Sequence, residues 1–184
     1  MLIARSMQEA HLYIDLHPCA CGAERFEREH RLEDHDGTLV AVFDGVCPRC
    51  GQPRSFAFRM ADELPPAPPA FGGEQPSRII DPGEFLWISD EVSTDSGLRL
   101  LNTPPTESRA IRPKTAYAIA AMEEVAKFLP PGADLIPTEC FVSERGRALY
   151  AKAPDRFTRE RIDASLALKR SVLDGIDYFS PPRS

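Results

Sequence analysis

Apolar residues recur at two different periods along the chain, and the change of period divides it. Met7, Ala10 and Ile14 fall at i, i+3 and i+7, and Tyr13 and Leu16 widen that stripe, which predicts a short helix over residues 6–16. Ser6 stands as its N-cap, with Glu9 three residues later completing a capping-box pattern. From residue 24 the period shortens. Phe26 and Leu32 stand at even spacing among charges, Leu39–Phe43 is a β-rich run, and Ser55-Phe56-Ala57-Phe58-Arg59 alternates strictly, so three strands are predicted. Asp34-His35-Asp36-Gly37 marks a hairpin turn between the first two, because an Asp-Gly step tolerates positive φ.

Prolines then interrupt the pattern. Residues 61–76 lose backbone donors to proline and predict an extended connector. Beyond them the helical period returns. Asp81 as N-cap, Pro82 in the first helical position and Glu84 open a helix that carries Phe85, Leu86, Trp87 and Ile88 to about Thr94. Leu98, Leu100 and Leu101 read as an apolar connection. Ala118, Ala121, Met122, Val125 and Phe128 form one stripe over 114–128, with Pro113 either setting its start or kinking a helix that enters earlier. Ser143 is placed to cap a short helix through Tyr150. Thr158 is placed to cap a last one, with Phe157 and Ile162 as a hydrophobic staple. The expected organisation is α+β: a helix plus three-stranded module in 1–60, a connector in 61–76 and a small helical domain in 77–184. The module is expected to pack on the helices, since neither half alone offers a large core.

Composition refines this picture. The formal net charge of −6 is unevenly spread: residues 61–110 carry three arginines against nine acids, whereas 111–184 carry twelve bases against ten. An acidic balance argues against general binding to a phosphate backbone and permits a basic partner. No apolar run approaches the roughly 18–20 residues that span a bilayer. The N-terminus shows no sustained apolar stretch or cleavage site, so a cytoplasmic protein without a signal peptide is expected.

Four of the five cysteines form two close pairs, Cys19/Cys21 in His-Pro-Cys-Ala-Cys-Gly and Cys47/Cys50 in Cys-Pro-Arg-Cys-Gly. Paired thiols in a reducing compartment suit metal binding better than a disulfide framework. In Cys-x-x-Cys-Gly the thiols at i and i+3 grip one ion while the glycine takes the left-handed backbone. Cys-x-Cys is tighter, though thiols at i and i+2 still share one side of an extended strand. That departure leaves His17 or His30 as a substitute fourth ligand. The segment 17–60 resembles the zinc-ribbon group, Cys47–Gly51 matching its rubredoxin-like knuckle. The resemblance implies a structural zinc ion on a β-ribbon and no particular activity.

Other candidates carry a bland and a functional reading. Cys140 reads as a buried thiol, and His30, Asp34, His35 and Asp36 as a solvated hairpin tip. Trp87, Asp90, Glu91 and Asp95 read either as core and surface of one helix or as an aromatic anchor with an acidic rim that docks a basic protein. Arg25, Arg28, Arg31, Arg49, Arg54 and Arg59 offer the alternative of nucleic-acid binding, against interleaved Glu24, Glu27, Glu29 and Glu33. No P-loop, G-x-G-x-x-G, G-x-S-x-G or H-E-x-x-H occurs, and no other constellation indicates an enzyme or a small-molecule substrate. The functional expectation is a non-catalytic, zinc-stapled module for a basic protein partner, of which an acidic immunity-type inhibitor of a toxin is one form.

Overall fold

In the computed structural model, which describes residues 1–180, Ser6 caps the first helix, α1 (Met7–Leu16). Its hydroxyl accepts the Glu9 N–H at 3.0 Å and donates to the Phe71 carbonyl at 2.8 Å. Glu9 does not return the bond to Ser6. Its fully buried carboxylate reaches one residue further and accepts the Arg5 backbone N–H, while the Arg5 guanidinium pairs with it at 2.6 Å. Ser6→Ala removes a cap and a tether to Phe71, and should lower the unfolding free energy by about 1–2 kcal/mol in a urea titration.

The strand pattern yields a four-stranded mixed sheet in the order β1-β4-β3-β2: β1 (Leu2–Ala4), β2 (Arg28–His35), β3 (Thr38–Val46) and β4 (Pro53–Met60). The expectation of three strands is corrected by β1, which runs parallel to β4 with Leu2 opposite Phe58. Three residues are too short to display a period, and they gain strand geometry only from the edge they join. β2 and β3 form the expected hairpin, with Asp36 (φ 54°) and Gly37 (φ 81°) in the turn. Ala41 lies opposite Phe58 and Phe43 opposite Phe56. The core gathers Ala4, Ala10, Ile14, Ala41, Phe43 and Phe58, the two phenylalanine rings meeting edge to face at 5.9 Å. Burying each such ring is worth about 1.5–3 kcal/mol.

Two compact units result, one from Met1–Gly73 with Ser77–Ile79, the other from Glu74–Pro76 with the chain from Ile80 onward. The proline-rich stretch contributes to the first through Phe71, which is fully buried and bonded to Ser6.

In the second unit, α2 (Pro82–Leu101) begins with both halves of a capping box between Asp81 and Glu84. It continues past Thr94 through Leu98, Leu100 and Leu101, where a connection was expected. No breaker stronger than Gly97 intervenes before Pro104, and Asp95 supports the added turns by pairing with Arg99 at 3.0 Å. After a 3-10 segment over Pro105–Ile111, α3 (Arg112–Ala126) starts two residues before the expected 114, with Pro113 inside its first turn, where a missing N–H costs nothing. Ser143 caps α4 (Glu144–Lys152) and Thr158 caps α5 (Arg159–Phe179), with Phe157 and Ile162 both fully buried. The Asp81 carboxylate also accepts the N–H groups of Val142 at 3.0 Å and Ser143 at 2.7 Å, so one side chain joins the starts of α2 and α4.

Candidate metal centre

Two tight turns bring the four thiols together. The second joins β3 directly to β4: Cys47 N–H donates to the Gln52 carbonyl at 2.9 Å, Gly51 N–H donates to the Cys47 carbonyl at 2.9 Å, and Gly51 has φ 72°. The first, between α1 and β2, repeats the pattern with one residue fewer. Cys19 N–H donates to the Ala23 carbonyl at 3.0 Å, Gly22 N–H to the Cys19 carbonyl at 2.8 Å, and Gly22 has φ 85°. The shorter Cys-x-Cys spacing is thus absorbed by closing the turn one residue earlier, with a glycine again in the left-handed region.

All four sulfurs, from Cys19, Cys21, Cys47 and Cys50, lie within 4.8 Å of one another. Across the two turns, Cys19 lies 3.6 Å from Cys50 and Cys21 lies 3.5 Å from Cys47. A tetrahedral ion with metal–sulfur bonds of about 2.3 Å has sulfur–sulfur edges of about 3.8 Å, so the donor set fits one such ion. Cys19 and Cys47 are buried, Cys21 is half-buried and Cys50 is exposed.

The electrostatics of the cluster also ask for a cation. The Cys50 N–H, then the Arg49 N–H and the neighbouring sulfurs, hold the Cys47 thiol down at about 6 against the opposing effect of burial. At Cys50 the Gln52 N–H pulls down, but Cys47, burial and the other two sulfurs outweigh it and push that thiol up to about 12. Crowded sulfurs resist becoming thiolates together unless a positive ion sits among them.

Arginines brace the turns from outside. Arg49 donates to the Cys21 carbonyl at 2.8 Å, and Arg54 donates to the carbonyls of His17 and Pro18. The Arg54 guanidinium lies over Phe56 at 5.0 Å and Phe26 at 5.6 Å, and those rings stack at 6.3 Å. Gly45 makes room for them: a Cβ there would meet the Glu27 carbonyl at 2.2 Å and the Phe26 ring at 2.6 Å. Sequence reasoning placed Arg49 and Arg54 among candidates for phosphate contact. Their bracing role depends on which carbonyls the turns expose, and nothing in the residue types announces it.

His17 and His30 stand outside the sulfur group. His17 bonds through Nδ1 to the Tyr13 carbonyl at 2.7 Å and stacks on the Tyr13 ring at 3.9 Å, whereas His30 stacks beside Phe43 at 6.0 Å. At the hairpin tip, Asp34 accepts the Gly37 N–H at 2.7 Å and His35 pairs with Glu33 at 2.8 Å. Cys140 is half-buried, and its thiol is raised by burial and then by the nearby Glu139 and Asp81 carboxylates.

The acids of α2 meet bases from their own unit. Asp90 pairs with Arg156 at 2.7 Å, and Asp95 pairs with Lys114 at 2.5 Å and Arg99 at 3.0 Å, contacts that hold Asp95 below the usual carboxylate range. The half-buried Trp87 ring carries the Arg145 guanidinium at 4.2 Å. Glu91 is exposed and has no ion pair among the described residues. Of the arginines of the β unit, Arg28 pairs with Asp15, Arg31 with Glu33 and Asp44, and Arg59 with Asp62.

No protein-family model, curated protein or solved structure matches the chain. No helix is long and apolar enough to cross a membrane among the described residues.

Proposed function

We propose that the chain is a non-catalytic binding protein, its β unit stapled by one structural zinc ion on Cys19, Cys21, Cys47 and Cys50, and that it engages a basic protein. The observation that carries this reading is the closed donor set: four sulfurs within 4.8 Å and no other His, Asp or Glu in the group. A four-thiolate ion has no open position for water or substrate, so its role is to hold the two turns together.

Electrostatics favour a basic partner. The net charge of −6 steers a cation toward the protein even where individual acids are paired. On α2 the exposed Glu91 beside Trp87 is the contact point, because Asp90 and Asp95 already face Arg156, Lys114 and Arg99. An acidic inhibitor of a basic toxin is one form such a protein takes. Nucleic-acid binding is the weaker reading. Arg28, Arg31 and Arg59 are matched by carboxylates, and Arg49 and Arg54 by carbonyls of the first turn.

Affinity capture with the zinc-loaded chain, with and without nuclease, tests this function. A stoichiometric basic protein should survive nuclease and be reduced at least fivefold by Glu91→Lys. Recovery of nucleic acid, with all partners lost after nuclease, would overturn the reading.

A further inference from the structure

β2 is an open edge of the sheet. The order β1-β4-β3-β2 gives it β3 as its one neighbouring strand among the described residues. Six of its eight residues are exposed, and Leu32 near its middle is 54% exposed. The turn that follows decides which backbone groups face outward. Asp36 and Gly37, both at positive φ, form a two-residue turn that closes on the His35–Thr38 pair. That pair exchanges hydrogen bonds, so by antiparallel alternation Glu29, Arg31, Glu33 and His35 bond to β3. The N–H and C=O groups of His30, Leu32 and Asp34 therefore point away from β3, out of the edge.

An edge of this length is a template for another strand, and charges blunt it against strands that do not match them. The charges of β2 match β2 itself. Antiparallel pairing of two copies about Leu32 sets Arg31 opposite Glu33, His30 opposite Asp34 and Glu29 opposite His35, each twice by symmetry. The outward backbone groups of Leu32 then meet those of Leu32 in the second copy, as a hydrogen-bonded pair requires. Neighbouring registers fail on charge. Centring on Arg31 opposes Arg31 to itself and Glu29 to Glu33, and centring on Glu33 opposes Glu33 to itself and Arg31 to His35. A centre between two residues sets outward groups against inward ones and leaves the ladder unbonded. Within one chain Glu33 meets Arg31 at 2.7 Å and His35 at 2.8 Å. These contacts join exposed side chains two residues apart and are weak enough to be exchanged.

We propose that β2 pairs antiparallel with β2 of a second copy of this chain, joining two four-stranded sheets about a twofold axis at Leu32. The interface uses neither the four sulfurs nor Glu91 of α2, so it is independent of the basic partner.

Sedimentation equilibrium of the zinc-loaded chain from micromolar to millimolar concentration tests the proposal. A reversible monomer–dimer equilibrium is expected, the mass rising toward twice 20.4 kDa. Arg31→Glu and Glu33→Arg should each weaken dimerisation about tenfold, because symmetry doubles every like-charge contact. An equimolar mixture of the two variants should restore it as a heterodimer, which a merely destabilising substitution would not do. Amide exchange should slow on dimerisation at His30, Leu32 and Asp34 and stay unchanged at Arg31 and Glu33. A chain that stays monomeric to millimolar concentration, a dimer that both variants retain at full strength, or a mixture that stays monomeric would overturn the pairing.

Discussion

Cys47→Ser should release the metal and loosen the β unit. Cys47 is buried at the end of β3, lies 3.5 Å from the Cys21 sulfur, and has its thiol held low by the Cys50 N–H. A serine hydroxyl keeps its proton near neutral pH and is a poor ligand for a soft-metal site. Zinc affinity should fall by at least about a hundredfold, because the ligand itself is lost and not merely a supporting contact. Since metal binding and folding of such turns are coupled, the variant with zinc in the buffer should melt like the chelated wild type. Cys140→Ser, outside the sulfur group, should leave metal content and melting unchanged. A Cys47→Ser protein with full metal content and an unaltered melting curve would remove the metal from this account of the fold.

Gly83→Ala should be the most damaging single methyl group in the helical unit. Gly83 in the first turn of α2 packs against Gly146 in the first turn of α4, where an added Cβ would lie 2.5 Å from the Gly146 Cα and 3.0 Å from its carbonyl oxygen. These are backbone atoms, and the Asp81 bonds to Val142 and Ser143 hold that backbone in place. Overpacking against an unyielding neighbour costs about 3 kcal/mol, more than the roughly 0.5–1 kcal/mol that alanine gains in helix propensity. Gly97→Ala in the same helix supplies the opposite sign. No atom lies within 4 Å of its added Cβ, so only the propensity term remains and stability should rise by about 0.5–1 kcal/mol. Denaturant titrations of the two variants separate steric fit from propensity; equal effects would contradict the packing of α2 on α4.

The pairing of thiols was readable from spacing because two short turns must each present sulfurs to one point, and the glycines after Cys21 and Cys50 carry the backbone signature of such turns. Helix starts were equally legible at Ser6, Asp81, Ser143 and Thr158, since a cap is a local bond between a side chain and an N–H three residues on. What escaped the sequence depends on distant partners. β1 is a strand only because β4 offers an edge. The length of α2 depends on the absence of a breaker after Thr94, a weaker signal than a cap. Asp90 reads as a free acid until Arg156, 66 residues away, is folded against it, and Asp95 until Lys114 arrives from α3. Arg49 and Arg54 share composition with a phosphate-binding patch, yet they end on turn carbonyls next to the sulfurs.

Cobalt(II) titration of the reduced, metal-free chain tests whether one ion joins the two turns. One equivalent should produce saturating tetrahedral d–d absorption together with sulfur-to-cobalt charge transfer of four-thiolate intensity, and one equivalent of zinc should displace it. A six-coordinate spectrum, an intensity matching two thiolates, or no saturation at one equivalent would contradict a single ion held by Cys19, Cys21, Cys47 and Cys50.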